Sequence, residues 1–298
     1  MLENIKERML AILIIFHISP IIFWKYLKVA KHIKLILVFT SLKMIGVTGG
    51  LHRLWTHKSY NTTKIIKYIL AFFANASFQG SIKMWTSNHR MHHTYEESNP
   101  SLDPYSIKKG FWWAHIVSHI YKKSDNFITV RDNIDKELFR ERGNDFDNKL
   151  IKFEDKYYFI LVILSGIIIP LIIFKLFFKD SLISCLMSIF VSVLITYHCT
   201  WSINSFAHLI GDKPFSTEHT SVDNNILGFF AIGEGYHNYH HSFPKDYKAS
   251  KDLKCINLTG WVIYGLYKLN LATDLKECKT IVCDKKPNPK SIDYKILK

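Results

Sequence analysis

Histidines stand in this sequence in tight groups whose spacing is that of metal ligands. The segments HRMHH and HNYHH each hold three histidines at positions i, i+3 and i+4, which on an α-helix brings three imidazoles to one face. Two further segments, HRLWTH and NSFAH, add a pair and a single histidine. The nine residues are His52, His57, His89, His92, His93, His208, His237, His240 and His241. This grouping predicts a polyhistidine metal site.

Nine imidazoles are more than one ion needs. Neutral imidazole suits iron, copper, zinc and nickel, and a structural zinc site closes at four ligands. Divided between two ions, the set leaves each metal several nitrogens and an open position. Few carboxylates accompany the histidines, whereas soluble di-iron bundles use Glu and Glu-x-x-His. Asn204 lies four residues before His208, on the same helical face, and could hold a metal-bound water.

The other histidines are expected to be structural. His115 and His119 are spaced i, i+4, but they lie in the aromatic segment FWWAHIVSHI, and such pairs are common on amphipathic helices. Arg53 and Arg90 each follow a ligand histidine, where they either orient the ligands or are simply solvated. The remaining histidines with a structural interpretation are His17, His32, His198 and His219.

Composition points to a membrane protein. The 298 residues carry a net charge of +14 and are 48% hydrophobic, and the apolar residues gather in long runs between charged loops, which is a membrane pattern. No basic helix or aromatic-basic ribbon indicates a nucleic-acid partner. The odd number of cysteines, five without metal-type spacing, indicates reduced thiols.

The apolar runs predict an all-α integral membrane protein that is one domain over residues 1–298. Four transmembrane helices are expected, with both termini on one side of the membrane. A weaker run, residues 65–82, is interpreted as an interfacial or re-entrant helix, because a span there would place the histidine segments on opposite sides of the bilayer. The four lysines at 25–34 oppose this topology by the positive-inside rule. The predicted spans are about 9–24, 33–51, 158–178 and 181–203.

The four histidine segments, HRLWTH, HRMHH, NSFAHLIG and GEGYHNYHHSFP, resemble those of the membrane stearoyl-CoA desaturase family. The resemblance continues in FQGSIKMW, KKGFWWAH, DYKAS and LNLATD, and it covers about residues 40–280. It implies a mushroom-shaped fold in the endoplasmic reticulum of a eukaryotic cell, with four transmembrane helices under a cytosolic helical cap and both termini cytosolic. It also implies a di-iron centre that uses O2 and electrons from cytochrome b5 and its reductase to insert a cis double bond at position nine of an acyl-CoA. Overexpressed protein is expected to carry zinc as well, because protein ligands select metals poorly by affinity alone.

The resemblance also implies roles for individual residues. The nine histidines match the family's iron ligands, with Asn204 acting through water. Lys108 and Lys109 match the positions that grip the CoA phosphates. The positions that line the family's bent acyl tunnel are matched by Gln79, Trp85, Thr200 and Trp201.

Met44, eight residues before His52, stands where the family uses small residues near the methyl end of the acyl chain, and Thr40 lies one turn earlier. A long methionine there predicts a shorter tunnel and a preference for palmitoyl over stearoyl chains. The pair Ser87 and Asn88 departs from the Arg-Asp of animal members and is similar to the plant and cyanobacterial branch, some of whose members act on lipid-bound chains.

Three alternatives remain open from the sequence. An acyl-lipid desaturase would use the same centre on a membrane lipid, and a fatty acyl hydroxylase would release an alcohol instead of an alkene. A membrane metal transporter or sensor would need polar residues along a path through the bilayer. We expect no fused haem-binding domain with its own histidine pair, and therefore a separate electron donor.

Overall fold

The computed structural model describes residues 6–142, 145–279 and 293–297, and these residues form a mainly helical chain with two short strand pairs. The predicted thiol Cys283 lies outside the described residues. Both strand pairs are antiparallel: β1 (Asn61–Thr62) with β2 (Ala272–Thr273), and β3 (Leu275–Cys278) with β4 (Tyr294–Leu297). The first pair joins the chain that follows the first histidine segment to the C-terminal part of the cap, and the second lies within that C-terminal part.

The apolar runs form long helices: α1 (Glu7–Ile22), α2 (Val29–Ile45) continued by the π-helix Gly46–Thr56, α7 (Asp145–Ile163) continued by a π-helical turn (Leu164–Ile168) and α8 (Ile169–Phe178), and α9 (Leu182–Ser205) continued by a 3-10 turn (Phe206–His208). Three of these continuous helices are long and apolar enough to cross a membrane: Val29–Thr56, Phe146–Phe178 and Leu182–His208. With 16 residues, α1 is about 24 Å long and shorter than a hydrocarbon core of about 30 Å.

These helices pack side by side and leave apolar side chains on their outer faces. Ile36, Phe174 and Ile189 form a buried contact between α2, α8 and α9. Outward-facing residues such as Phe159 and Leu176 are about 70% exposed, at 69% and 71%, which is the surface that lipid would cover.

The loop before α2 and the turn between α8 and α9 meet at one end of the bundle. Asp180 accepts hydrogen bonds from Lys28 Nζ and His32 Nε2, each at 2.9 Å, and it also pairs with Lys31 at 2.9 Å. This carboxylate offsets part of the positive charge that the sequence concentrates in the loop at 25–34.

The opposite end carries the cap. Its helices are α3 (Lys64–Asn75), α4 (Ile82–Tyr95), α5 (Ser118–Ile120), α6 (Asp125–Arg142), α10 (Asn225–Phe230), α11 (His237–Ser242) and α12 (Leu258–Lys268). The segment expected to be helical over 65–82 is divided, because α3 ends at Asn75 and the Ser81 hydroxyl accepts from Met84 N at 3.3 Å to begin α4. Gly46 allows the crossing of α2 and α3, since a Cβ there would lie 2.4 Å from Ala74 N.

Candidate metal centre

The nine predicted ligands lie together at the junction of the membrane helices and the cap, and they divide into two groups. Within each group the ligand atoms all lie within 4.8 Å of one another. The first group contains His52, His57, His89, His93 and His240, and the second contains His92, His208, His237 and His241.

Both triplets contribute to both groups. On α4, His89 and His93 (i, i+4) belong to the first group, whereas His92 belongs to the second. On α11 the assignment is reversed, because the i, i+4 pair joins the second group and His240 the first. On an α-helix, residue i+3 lies to one side of residue i and residue i+4 lies to the other side. One edge of α4 therefore contributes to the first group and the other edge to the second, and the same holds for α11.

The first histidine pair has a spacing of five, which an α-helix does not bring to one face. Its segment is instead the π-helix Gly46–Thr56, in which hydrogen bonds run from i to i+5. The amide of His57 donates to the carbonyl of His52 at 3.1 Å. The π-helix therefore places both imidazoles on the side that faces α4 and α11.

The spacing of the ring nitrogens fits a shared metal ion. His52 Nε2 lies 2.9 Å from His240 Nε2, and His89 Nε2 lies 3.0 Å from His57 Nε2 and 3.1 Å from His93 Nε2. Imidazole nitrogens bind such ions at about 2.0–2.1 Å, so two ligands at right angles are about 2.9 Å apart. In the second group His237 Nε2 and His241 Nε2 are 3.0 Å apart.

Acidic and hydroxyl side chains hold the outer nitrogens of these rings. His92 Nδ1 lies 2.9 Å from Asp103 Oδ1, and His208 Nδ1 lies 2.9 Å from Thr220 Oγ1. Glu96 contacts Nδ1 of His241. The Nε2 atoms of His92 and His208 are buried and have no hydrogen-bond partner among the described residues, as expected for nitrogens directed at a metal.

A buried ion pair supports the first group. Glu234 Oε2 lies 2.9 Å from His52 Nδ1, and Oε1 accepts from Arg53 Nη2 at 2.6 Å. Burial alone would raise the pKa of Glu234, but Arg53 and His52 outweigh it and lower that pKa to about 2. The carboxylate is therefore ionised and accepts from His52, which leaves His52 Nε2 free of its proton for a metal.

The electrostatics of the rings also suit metal ligands. Burial, and then the positive charge of neighbouring groups, lowers the pKa of six histidines well below the ordinary 6.5. Their neutral rings keep a lone pair for a metal. His92 differs: burial opposes its charge, but Asp103 and Glu96 raise its pKa above the ordinary value. The six are His57, His89, His93, His237, His240 and His241.

An apolar cavity reaches the metal centre. Its wall includes His52 and His89 from the first group and His237 from the second. The predicted tunnel residues Gln79, Trp85, Thr200 and Trp201 all line it, together with Asn204. The Gln79 amide donates to the Thr200 hydroxyl at 2.9 Å, which fixes two walls to each other.

Met44 and Thr40 lie on α2 farther from the metals. The Thr200 hydroxyl lies 3.6 Å from Met44 Sδ, so Met44 stands directly behind a residue of the cavity wall. Met44 is only 1% exposed, and it packs against Ile203 and Leu227. The hydroxyl of Thr40 bonds the Ser192 carbonyl on α9 at 3.4 Å.

The two lysines predicted to bind CoA each contact another side chain. Lys108 Nζ lies 3.0 Å from Glu97 Oε2, and Lys109 Nζ lies 4.7 Å from the centre of the Trp113 ring. Ser87 belongs to the pair before the second histidine segment that differs from the Arg-Asp of animal members. Its hydroxyl donates a hydrogen bond to Asp135 at 3.2 Å.

Sequence reasoning missed the carboxylates that orient the ligands. Glu234 lies three residues before His237 in GEGYH, and Glu96 lies three residues after His93 in HHTYE. The signal available for these two carboxylates was an acidic residue within one turn of a predicted ligand histidine. No such signal pointed to Asp103, because a loop brings it to His92. Among the histidines expected to be structural, His219 lies near the centre, with its Nδ1 3.8 Å from Glu96 Oε2.

Comparison with known proteins agrees with this geometry. A family model described as fatty acid desaturase matches residues 32–247. The chain is 33% identical to acyl-CoA desaturase 1 of Saccharomyces cerevisiae over 264 residues, which are 87% of this chain and 50% of that protein. It is 31% identical to stearoyl-CoA desaturase 5 of Homo sapiens over 280 residues, 92% of this chain and 82% of that protein.

A third relative is the delta(9)-fatty-acid desaturase fat-7 of Caenorhabditis elegans, which is 35% identical over 232 residues, 78% of this chain and 66% of that protein. The chain thus spans half the length of the yeast relative and more of the animal ones. The match to the family model covers most of the chain and includes every histidine of both groups. This chain belongs to the fatty acid desaturase family.

Proposed function

We propose that this chain is an acyl-CoA delta-9 desaturase. It inserts a cis double bond into a saturated fatty acyl-CoA, using O2, two electrons and two protons and releasing two molecules of water. The observation that carries the proposal is the apolar cavity whose wall contains His52, His89 and His237. A saturated chain in this cavity would lie against both histidine groups, and the relatives are named for this class of reaction.

The two histidine groups would hold two iron ions, one each, with Asn204 acting through a water molecule. Unactivated C–H bonds have no acidic proton, and the metal pair when bound would supply the oxidising power to break them. The buried carboxylates Glu234 and Asp103 hold the imidazoles in one orientation. That orientation keeps the ligand nitrogens on the cavity side before any metal arrives.

The cavity residues supply binding and position. Aromatic walls from Trp85 and Trp201 give an acyl chain an apolar surface and exclude water from the centre. The Gln79–Thr200 hydrogen bond ties the loop before α4 to α9. The bend of the cavity would then determine which carbon pair faces the metals. Lys108 and Lys109 would attract the phosphates of CoA.

The membrane arrangement is part of the proposal. Four spans, including α1, would lie below a cytosolic cap, with both termini in the cytosol and the protein in the endoplasmic reticulum. The packing of α1 supports this: its first residues reach the cap, where Lys6 N donates to Ile120 O at 2.8 Å. Its Leu13 and Phe16 then pack along α9. In this arrangement α3 lies at the membrane surface, with Ile65 71% exposed.

Electrons would come from cytochrome b5 and its reductase. A second depression on the outer side of the cap is lined by His57 and His93 of the first group and by His241 of the second. Charged residues such as Arg90 and Glu137 also line it. A donor seated there would reach either metal through one imidazole ring.

The test is to incubate membranes carrying the protein with labelled palmitoyl-CoA or stearoyl-CoA, O2 and a reduced cytochrome b5 system. We expect a cis alkene at position nine, which disappears without O2 and in the His89→Ala variant. An alcohol of higher mass would identify a hydroxylase, and conversion of phospholipid chains alone would identify an acyl-lipid desaturase. Metal uptake without either product would indicate a transporter or sensor.

A further inference from the structure

Three histidines outside the metal centre form one hydrogen-bonded chain between α1 and α9. His17 Nδ1 lies 2.7 Å from the carbonyl of Leu13, and His17 Nε2 lies 3.2 Å from His198 Nε2. His198 Nδ1 lies 3.1 Å from His115 Nε2, and His115 Nδ1 lies 2.9 Å from the Ser205 hydroxyl. The sequence alone predicts no common role for these residues.

The hydrogen bonds that link these imidazoles run in one direction, which the group at the α1 end determines. The Leu13 carbonyl can only accept, so His17 carries its proton on Nδ1 and accepts at Nε2. A neutral imidazole donates from one nitrogen and accepts at the other, so the donor to His17 is His198 Nε2. By the same step His115 donates from Nε2 to His198 Nδ1. The Ser205 hydroxyl lies 2.9 Å from His115 Nδ1 and donates to the Trp201 carbonyl at 2.9 Å, so the chain ends at the backbone of Trp201.

These imidazoles surround Trp201, which lines the cavity. The ring of His17 is nearly parallel to the indole, at 6.3 Å and 10°. His198 and His115 meet it edge-on, at 5.4 Å and 6.0 Å between ring centres. His119 is stacked on it at 5.1 Å. Such aromatic contacts are geometrically specific, so the position of the indole depends on the position of the imidazoles.

We propose that the chain His17–His198–His115–Ser205 is a positioning element. It holds the Trp201 indole in the cavity wall, and through it selects the carbon pair of the acyl chain that faces the metal centre. This inference rests on the proposed desaturase function, because it names a determinant of where that reaction takes place.

The physical reason for such a chain is the apolar surrounding. Hydrogen bonds are stronger in the low-dielectric surroundings of an apolar bundle than in water. Linked imidazoles, of which His115 is buried and His17 and His198 are half-buried, therefore form a stiffer support than apolar side chains of the same size. Stiffness matters here because a misplacement of about 1 Å at a reacting centre costs about 100-fold in rate. The chain also fastens α1 to α9 at the level of the cavity.

The first experiment replaces His198 by Phe, which keeps an aromatic ring beside Trp201 and removes both hydrogen bonds. We expect the alkene to spread over neighbouring positions of the acyl chain and kcat/KM to fall by about 100-fold. The matched control is His32→Phe, which removes two hydrogen bonds from a ring that is 0% exposed at the far end of the bundle. The control should retain a single product isomer, since a general loss of stability does not move a double bond.

The second readout requires neither metal nor turnover. In metal-free protein labelled with 5-fluorotryptophan, one of seven tryptophan signals is assigned to Trp201 by its loss in Trp201→Phe. That signal should shift or broaden in His198→Phe and stay in place in His32→Phe. His198→Gln, which keeps a donor toward His17, should restore part of the original signal.

An unchanged fluorine signal, or an unchanged product isomer, in His198→Phe would overturn the positioning role. If that variant does not fold, His17→Phe and His115→Phe give the same comparison. If the unaltered protein makes no alkene, the proposed function fails, whereas the fluorine spectra still decide whether the imidazole chain holds Trp201.

Discussion

Glu234 links Arg53 to His52: one carboxylate oxygen lies 2.6 Å from Arg53 Nη2, and the other lies 2.9 Å from His52 Nδ1. All three residues are buried, with exposed fractions of 4% or less. The chain therefore places a fully buried ion pair directly behind a predicted metal ligand, and removing one partner leaves the other uncompensated. We expect both metal binding and the stability of the cap to depend on this contact.

Glu234→Gln should lower the affinity for metal about 10- to 100-fold, because residues that orient ligands have effects of that size. The neutral amide no longer fixes the tautomer of His52 and no longer balances Arg53. Competition with a chelator measures the affinity. The exposed Glu218 gives a control, since Glu218→Gln changes the same charge away from the ligands. Equal metal affinity in the two variants would contradict this role for Glu234.

The division into two groups predicts the metal content of single variants. Purified active protein should hold about two iron ions per chain, since nine nitrogens are too many for one. His89→Ala should reduce the first site and His92→Ala the second, and both variants should lose turnover. His32→Gln, at the far end of the bundle, should keep both ions. Metal analysis per folded chain measures this, and full activity of either alanine variant would refute the ligand assignment.

Met44 stands behind Thr200 in the cavity wall, so shortening it should deepen the cavity. Met44→Ala should shift the preference from palmitoyl towards longer acyl-CoA and leave the double-bond position unchanged. Met187→Ala is the matched control, because Met187 is also buried, at 3% exposure, and core substitutions of this kind each cost about 2–5 kcal/mol. Competition between labelled palmitoyl-CoA and stearoyl-CoA gives the ratio of kcat/KM. The same ratio in both variants would exclude Met44 as the end of the cavity.

Lys108 and Lys109 are predicted to bind the CoA phosphates. Changing both to Glu should raise KM for acyl-CoA strongly with little change in kcat, because attraction to the phosphates becomes repulsion while the metal centre is untouched. The double change Lys251→Glu and Lys254→Glu, at two exposed lysines, alters the net charge equally. If both double variants keep the original KM, the head group is bound elsewhere or the substrate is a membrane lipid.

The four-span topology predicts where tags are accessible. Tags between α6 and α7 and at the C-terminus should both face the cytosol, and a tag in the loop between α1 and α2 should face the lumen. Protease protection in sealed microsomes reads each position. Should the first two tags be found on opposite faces, the four-span model would be wrong, because an odd number of crossings would then separate them.

The sequence by itself determined the helical class, the long apolar helices and which histidines are grouped. Each of these follows from local pattern: an apolar run gives a long apolar helix, and imidazoles at i, i+3 and i+4 lie on one helix face. The helix bounds differ in detail. The helix expected from residue 158 begins at Asp145, because a polar, charged segment is equally able to be helical once it packs in the cap.

Tertiary structure decided how the ligands are shared. His52 and His240 meet across 188 residues, and no local rule assigns His92 to one group and its neighbour His93 to the other. The π-helical form of Gly46–Thr56 could not be predicted either, since its hydrogen bonds depend on how that segment packs on α3 and α4. The contacts of Glu234, Asp103 and Trp201 have the same origin. Local sequence determines which face of a helix is polar or apolar, but which distant face it meets depends on the packing of all the helices at once.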